Sequence, residues 1–451
     1  MNKKYRRDVN ELMLIIEVCF ELVVFTLIFW TFIGKHIIDL SPDMHVNLDL
    51  GIIIIYVLLE VVLIMAMEGF AWNRLKLTDI IASQLIAVLL GNVAIFAYIY
   101  AIERQVHVRN FLLMCVVDAF VILALVYAYN RLYRYVNPVK KIIMVYGTPN
   151  ALKFKYEANK RLSKYNIAKS ISASNKIDVL IETIEAYECV LLNDIPAKKR
   201  NDILKFCYCN GIDVYFAPKI SDILTRASCD INLIDTPLLY LDCNVSRLSI
   251  RQRIMKRLLD LILCAIFFVP FNILIILCSI AIVIDDGFPI FFSQKRITKD
   301  NCEFNLIKLR SMTVSNDIND YVSKTVDRDR RITRVGAFIR RFHIDELPQI
   351  YNVIKGDMSF VGPRPENKRN YEEYIKAVPE FSFRNKFKSG ITGYAQIYGR
   401  YNSSPYDKLR LDLIYMENYS LLMDLKILLR TMRIFFKKDT LEPFQSKNEK
   451  N

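Results

Sequence analysis

Four apolar stretches open the chain, at roughly residues 12–33, 51–70, 79–101 and 111–130. Each is about 20 residues long, enough to cross a hydrocarbon core as a helix. The polar positions between them are unevenly charged. Lys3, Lys4, Arg6, Arg7, Arg74, Lys76, Arg131, Arg134, Lys140 and Lys141 fall on one side of such a bundle; the other side holds Lys35, Arg104 and Arg109 with Asp39, Asp43 and Asp49. The positive-inside bias places both ends of the bundle in the cytosol. The N-terminus MNKKYRRD enters the first stretch without a small-residue cleavage site, which reads as an uncleaved span. Glu17, Glu21, Glu60, Glu68 and Asp118 lie within or at the ends of these spans. They read either as pairs between helices and snorkelling ends, or as a polar pathway.

From about 138 to 243 the period changes. KIIMVYG, NIAKSIS, ECVLL, IDVYFAP and PLLYL are short β-rich runs, and helical stretches near 150–163, 177–187 and AKKRNDILKFCYCNG separate them. Strands alternating with helices predict a Rossmann-like parallel sheet. Its first turn, Gly147-Thr148-Pro149-Asn150-Ala151, has one glycine where a dinucleotide fingerprint needs three, so the unit reads as structural, regulatory or assembling. A fifth apolar stretch, 258–284, is long enough to cross but carries Pro270 and Asn272 at its middle. A proline there favours a kink, so the stretch is either a kinked span or a hairpin that leaves on the face it entered. Residues 285–435 have short apolar runs, many arginines and no long alternation, and read as mostly helical.

Composition narrows the function. A chain of 451 residues accommodates two or three domains. It is 53% hydrophobic yet 24% charged, with a net charge of +14. That balance suits an anionic membrane surface or phosphorylated substrates, and the spans favour lipid over nucleic acid. The ten cysteines are scattered and the four histidines dispersed, which argues against zinc and for the reducing cytosol.

The candidate chemistry lies in RRFHIDELPQIYNVIKGDMSFVGPRP, residues 340–365. IRRFHI reads as the end of one helix and ELPQIYNVIKG as the next, with Asp345 as N-cap and Pro348 in the first turn. Asp and Glu are ordinary at a helix start. The same free amides also favour a phosphate, and an ionised Asp beside a metal-held phosphate can act as nucleophile. A neighbouring Glu can help hold Mg²⁺, which takes hard oxygen ligands. Around the pair lie Arg328, Arg330, Arg331, Arg334, Arg340 and Arg341. Such a run reads most simply as an electrostatic anchor, whereas Lys308, Arg310 and Arg364, isolated or fixed between prolines, read as phosphate ligands.

KRLLDLI (256–262), FPIFFSQKRI (288–297), FNLIKLRSM (304–312), RITRVGAFIRRFHIDELPQIYNVIKGDMSFVGPRPE (331–366), SGITGYAQIYGR (389–400) and KLRLDLIYMENYSLLMDLKIL (408–428) together resemble the bacterial sugar transferase family, the polyprenyl-phosphate glycosyl-1-phosphate transferases. The ordered set covers about 255–435 and is specific where each motif alone is weak. The resemblance implies a membrane enzyme of the large form. Its parts are a four-helix transmembrane domain (1–135), a Rossmann-like cytosolic domain (138–245), a mostly α catalytic domain (250–440) with a re-entrant helix at 258–284, and a flexible tail (441–451). The reaction it implies is transfer of a sugar-1-phosphate from a nucleotide sugar, commonly a UDP-hexose, to undecaprenyl phosphate, with release of UMP. In this reading Asp345 is the nucleophile and Glu346 a Mg²⁺ ligand; Arg340 and Arg364 bind substrate phosphate or nucleotide, and Lys308, Arg310 and Asp412 complete the site. The implied setting is the cytosolic face of the bacterial inner membrane, at the first membrane step of exopolysaccharide, capsule or O-antigen synthesis, with a homodimer compatible. Three positions depart from the family pattern: Val269 before Pro270, Ser389 in Lys388-Ser389-Gly390, and Arg330 before Arg331. The rival reading is an export or transport component without catalysis, with the acidic residues of the spans as its path.

Overall fold

The computed structural model describes residues 3–34, 45–73, 75–103, 108–148, 152, 154–155, 165–233, 236–241, 248–313, 331–399 and 404–435. Lys35, Asp39, Asp43, Arg74, Arg104, most of the helical stretch 150–163, Arg328, Arg330 and the tail 441–451 lie outside them. The chain forms two compact units, Met1–Ala217 and Pro218–Asn451.

The first unit begins with α1 (Lys3–Phe29), which runs on through a π-helical turn at Trp30–Gly34, then α2 (His45–Ala66), α3 (Leu77–Glu103) and α4 (Val108–Val136). Asp8–Ile33, Leu77–Ala101 and Val108–Val136 are long and apolar enough to cross a membrane, and Gly51–Ala66 is a shorter apolar helix. The helix α2 stops at Ala66, not at residue 70, because Glu68 adopts a left-handed φ of 59°. Leu58, Val62 and Phe120 are exposed, whereas Phe29, Ile64 and Ile122 are buried. Apolar side chains on both faces leave the polar ones to mark the contacts between helices. Trp72 Nε1 donates to both oxygens of Glu17, at 2.9 and 2.8 Å, and Gln84 Nε2 donates to Glu21 Oε1 at 3.2 Å.

The alternation that follows folds into β1 (Lys140–Tyr146), β2 (Tyr165–Ser172), α5 (Ile177–Glu185), β3 (Cys189–Asn193), α6 (Ala197–Cys209) and β4 (Asp213–Phe216). The strands are all parallel, in the order β2-β1-β3-β4. Ile143, Val145, Val190 and Leu192 of the central strands pack on Leu180, Ile184, Ile203 and Cys207 of the two helices. PLLYL does not join this sheet. In the second unit it forms β6 (Thr236–Tyr240), antiparallel to β5 (Cys229–Leu233), after α7 (Ile220–Arg226). An antiparallel neighbour needs only a short connection, where a parallel one needs a crossover.

The second unit is organised along α8 (Ile250–Asp286), one helix of 37 residues that persists through Pro270. Asn272 Nδ2 donates to the Phe268 carbonyl at 2.7 Å, and Asn272 Oδ1 accepts from Tyr351. After α8 come the hairpin β7 (Phe291–Ile297) and β8 (Glu303–Leu309), α9 (Arg334–Arg341) and α10 (Gln349–Lys355). The chain continues through β9 (Ser359–Val361), α11 (Lys368–Ala377), β10 (Gly390–Thr392), α12 (Tyr394–Tyr398), α13 (Pro405–Glu417) and α14 (Leu421–Phe435). The core joins Cys264 of α8 with Phe304, Ile350, Phe360, Tyr415 and Ile427.

Polar bonds tie α8 to this unit at both ends. Near its start, Arg257 donates to the carbonyls of Val353 and Ile354, and Asp260 Oδ1 accepts from Ser359 Oγ and Phe360 N, both at 2.9 Å. At its end, Asp285 Oδ2 accepts from Val335 N, and Arg310 donates to the carbonyls of Asp286, Gly287 and Phe288. Lys256 and Asp424 form a buried ion pair at 2.6 Å, and the Tyr415 hydroxyl donates to Asp424 Oδ1 at 2.7 Å. Removing one partner of such a pair strands the other. Asp424→Ala is expected to cost about 3–5 kcal/mol in denaturant unfolding, and Lys256→Met with Asp424→Leu to recover most of it. Equal losses in the single and double variants would show that the pair is not what holds the helix start.

Candidate active site

Two adjacent carboxylates become a site only if local backbone points them at the same cations. Thr333 Oγ1 caps α9 by accepting from Gly336 N at 2.8 Å. The helix ends at Arg341, and His343, two residues on, sits in the left-handed region at φ 54°, ψ 23°. A 3₁₀ turn, Ile344–Glu346, follows. Asp345 is therefore not the N-cap of the next helix. Pro348 has no N–H to join the turn to a longer helix, and α10 starts only at Gln349. In this turn Glu346 N donates to the His343 carbonyl and Leu347 N to the Ile344 carbonyl.

The turn delivers Glu346 to two cations from distant segments. Lys308 Nζ lies 2.6 Å from its Oε1, and Arg364 NH2 lies 2.7 Å from the same oxygen. Burial alone raises this carboxyl, but Arg364 and Lys308 overcome it and hold it well below the usual range. Asp345 goes the other way. It is 8% exposed, and burial raises its carboxyl; Lys308 opposes that, Glu346 adds to it, and His343 and Arg340 oppose it. The two neighbouring carboxyls are thus pushed in opposite directions.

The other candidates divide. Arg340 lies within electrostatic reach of Asp345. Arg310 is turned away, onto the carbonyls at the end of α8. Asp412 sits beneath the site, where Arg384 NH2 lies 2.8 Å from its Oδ2. Burial pushes Asp412 up to about 6, with Arg384 opposing. Arg384 also donates to the Arg364 carbonyl at 2.9 Å, and Arg296 to the Pro365 carbonyl at 3.2 Å. Two guanidiniums therefore fix the backbone of the Gly-Pro-Arg-Pro loop. Gly362 lets that loop approach β10: a Cβ there would lie 2.3 Å from the Lys388 carbonyl oxygen. Arg384, Arg296, Glu366 and Lys408, whose Nζ lies 3.2 Å from Glu366 Oε1, did not stand out in the sequence. Asn352 was also silent. Its Nδ2 donates to the Asn305 carbonyl, its Oδ1 accepts from Ile307 N, and so it holds α10 against the strand that bears Lys308.

The donor set fits a magnesium ion. Mg²⁺ takes one or two carboxylates and completes its shell with waters and substrate phosphate. Oε1 of Glu346 accepts both short contacts, while Oε2 has only a 3.4 Å contact from Arg364 NH1. That oxygen, with Asp345 beside it, is where a hard cation would be held. Among the described residues no group of three or more His, Cys, Asp or Glu is arranged to hold a metal by itself.

Comparison with known proteins identifies the family. The bacterial sugar transferase family model matches residues 251–438. A UDP-glucose:undecaprenyl-phosphate glucose-1-phosphate transferase of Caulobacter vibrioides is 38% identical over 182 residues, 39% of this chain and 68% of the relative. The chain belongs to the bacterial sugar transferase family. An uncharacterised sugar transferase of Bacillus subtilis is 43% identical over 40% of this chain and 86% of its own length. A UDP-N-acetylgalactosamine-undecaprenyl-phosphate N-acetylgalactosaminephosphotransferase of Aeromonas hydrophila is 32% identical over 271 residues, 57% of this chain, and the chain spans 60% of that relative's length. All seven residues singled out in the sequence fall inside the matched region.

The electrostatics of Asp345 can be read directly. Replacing His343 by Asn, a residue that tolerates left-handed backbone, takes away one influence that lowers the Asp345 carboxyl. The titration midpoint of Asp345, followed by ¹³C NMR of carboxyl-labelled aspartate, should move to higher pH. An unchanged midpoint would show that His343 does not act on Asp345.

Proposed function

We propose that this chain transfers a sugar-1-phosphate from a nucleotide sugar, a UDP-hexose in the first instance, to undecaprenyl phosphate, through an acyl-phosphate on Asp345. The observation that carries this reading is the carboxylate pair of Asp345 and Glu346 set between Lys308 and Arg364. A carboxylate oxygen of Asp345 attacks the sugar-bearing phosphorus. The bond to the bridging oxygen breaks, and UMP leaves with that electron pair. An oxygen of undecaprenyl phosphate then attacks the same phosphorus, which regenerates the Asp345 carboxylate and yields the lipid diphosphate sugar. Lys308 and Arg364 offset the negative charge that would otherwise repel Asp345 from a diphosphate. Mg²⁺, held by Glu346 and the substrate, would supply further charge neutralisation at the phosphates. Arg384 and Asp412 keep the Arg364 loop in place.

The same reading puts the site at a cytosolic membrane face. A straight helix of 37 residues spans about 55 Å. Leu258, Ile266, Val269, Ile276 and Ile284 along it are exposed, as a lipid-facing surface would be. Yet residues at its start and at its end bond to one compact unit, which favours a helix that enters and leaves on one side of the bilayer. The four-stranded sheet of the first unit is then a Rossmann-like module with a structural role. The products would feed exopolysaccharide, capsule or O-antigen synthesis.

The test uses purified full-length protein with Mg²⁺, undecaprenyl phosphate and a panel of UDP-sugars, with UMP as the readout. One UDP-hexose should release UMP, and Asp345→Asn should lower the rate by at least about 10³-fold. Undiminished release by that variant would exclude Asp345 as nucleophile.

A further inference from the structure

The helical bundle carries a polar layer that the transfer chemistry does not use. Tyr56 and Glu60 stand one turn apart on α2, Gly91 and Asn92 lie on α3, and Cys115 and Asp118 on α4. Asn92 engages both ends of its amide: Oδ1 accepts from the Tyr56 hydroxyl at 3.2 Å, and Nδ2 donates to Asp118 Oδ2 at 2.8 Å. Glu60 is 0% exposed and Asp118 1%. Neither oxygen of Glu60 accepts a hydrogen bond from any described group, nor does Oδ1 of Asp118. The backbone has made room for this side chain: a Cβ at Gly91 would lie 2.2 Å from Glu60 Oε1.

Among the described residues, the titratable groups recorded around Glu60 and Tyr56 are all acids. Asp118 faces Glu60 from α4 and Tyr56 from its own helix, with Cys115 of α4 near Tyr56 and Asp118; α3 brings uncharged Gly91 and Asn92, and α1 brings Phe29, stacked on Tyr56 at 4.6 Å. Unpaired anions cost several kcal/mol each in a low-dielectric interior. Among the described residues no cationic side chain is recorded against Glu60 or Asp118, so the compensating charge has to come from outside. Two carboxylates with a hydroxyl and an amide suit a proton or one monovalent ion. The described residues hold no set of three or more ligating side chains for a heavier metal. Toward the Trp72 end of the bundle, Glu21 and Gln84 add a second polar step, with Glu21 Oε2 and Gln84 Oε1 likewise without a donor.

We propose that Glu60, with Asp118, Asn92 and Tyr56, forms a binding site for a small monovalent cation, H⁺ or Na⁺, inside the helical bundle. A cation held only by the native state stabilises it by mass action. The chain has two tryptophans, Trp30 and Trp72, and both lie in the bundle, so tryptophan fluorescence reads the melting of that part. The experiment melts the full-length chain in detergent and compares it with Glu60→Gln, which keeps the shape and removes the ionisable group. One series varies pH in choline chloride between about pH 5 and 9. The other replaces choline by Na⁺ at fixed pH. If the occupant is a proton, the wild type should lose at least about 2–4 °C relative to the variant as pH rises. If it is sodium, the wild type alone should gain as Na⁺ replaces choline. A gap between the two proteins that stays constant in both series overturns the proposal. Should Glu60→Gln fail to fold, carbodiimide labelling of the wild type decides. An adduct on Glu60 that fades with rising pH, or that Na⁺ but not choline protects, is expected; no adduct at Glu60 overturns the site.

Discussion

One carboxylate organises the candidate active site. Glu346 accepts from Lys308 and Arg364 at 2.6 and 2.7 Å, and with that contact three remote segments converge: the β7–β8 hairpin, the 3₁₀ turn and the Gly-Pro-Arg-Pro loop. Burying a carboxylate costs several kcal/mol unless cations repay it. Here the two cations more than repay it, and Glu346 stays ionised. Asp345, one residue away, shares their field without a direct bond, so burial wins there. Adjacent carboxyls are thus pushed in opposite directions, as the proposed division between nucleophile and charge holder requires.

Behind this pair lies a second group of charges, buried and paired with one another. Arg384 is 3% exposed, pairs with Asp412 and holds the Arg364 carbonyl. Arg296 holds the next carbonyl. A buried ion pair adds little net stability, but breaking it is expensive, which suits groups that must keep a loop in one place. Arg310 serves the same end elsewhere: it ties the end of α8 to the strand that carries Lys308. The long apolar helix is thus bonded into the unit it accompanies, with Lys256, Arg257 and Asp260 at one end and Asp285 and Asp286 at the other.

The apolar helices were legible because their signal is a sum over about 20 residues, and no local detail can reverse it. The parallel sheet was legible for a similar reason, since helices follow β2 and β3 along the chain. Asp345, Glu346, Lys308 and Arg364 could be named from ordered motifs. Arg384 and Arg296 could not, because an isolated arginine looks the same in sequence whether it reaches solvent or a carbonyl. The N-cap expected at Asp345 failed on a single torsion, the left-handed backbone of His343, which the residue types around it do not announce. PLLYL failed because a strand run does not say which strand it will meet.

What the amino-acid order determined by itself is everything that depends on near neighbours: which stretches are too apolar for water, where strands alternate with helices, and which two carboxylates stand side by side. What only the tertiary structure decided is which charges meet. Lys308 and Glu346 are 38 positions apart, and Lys256 and Asp424 are 168 apart. Coulombic attraction depends on distance in space and on burial, and neither exists until the chain has folded.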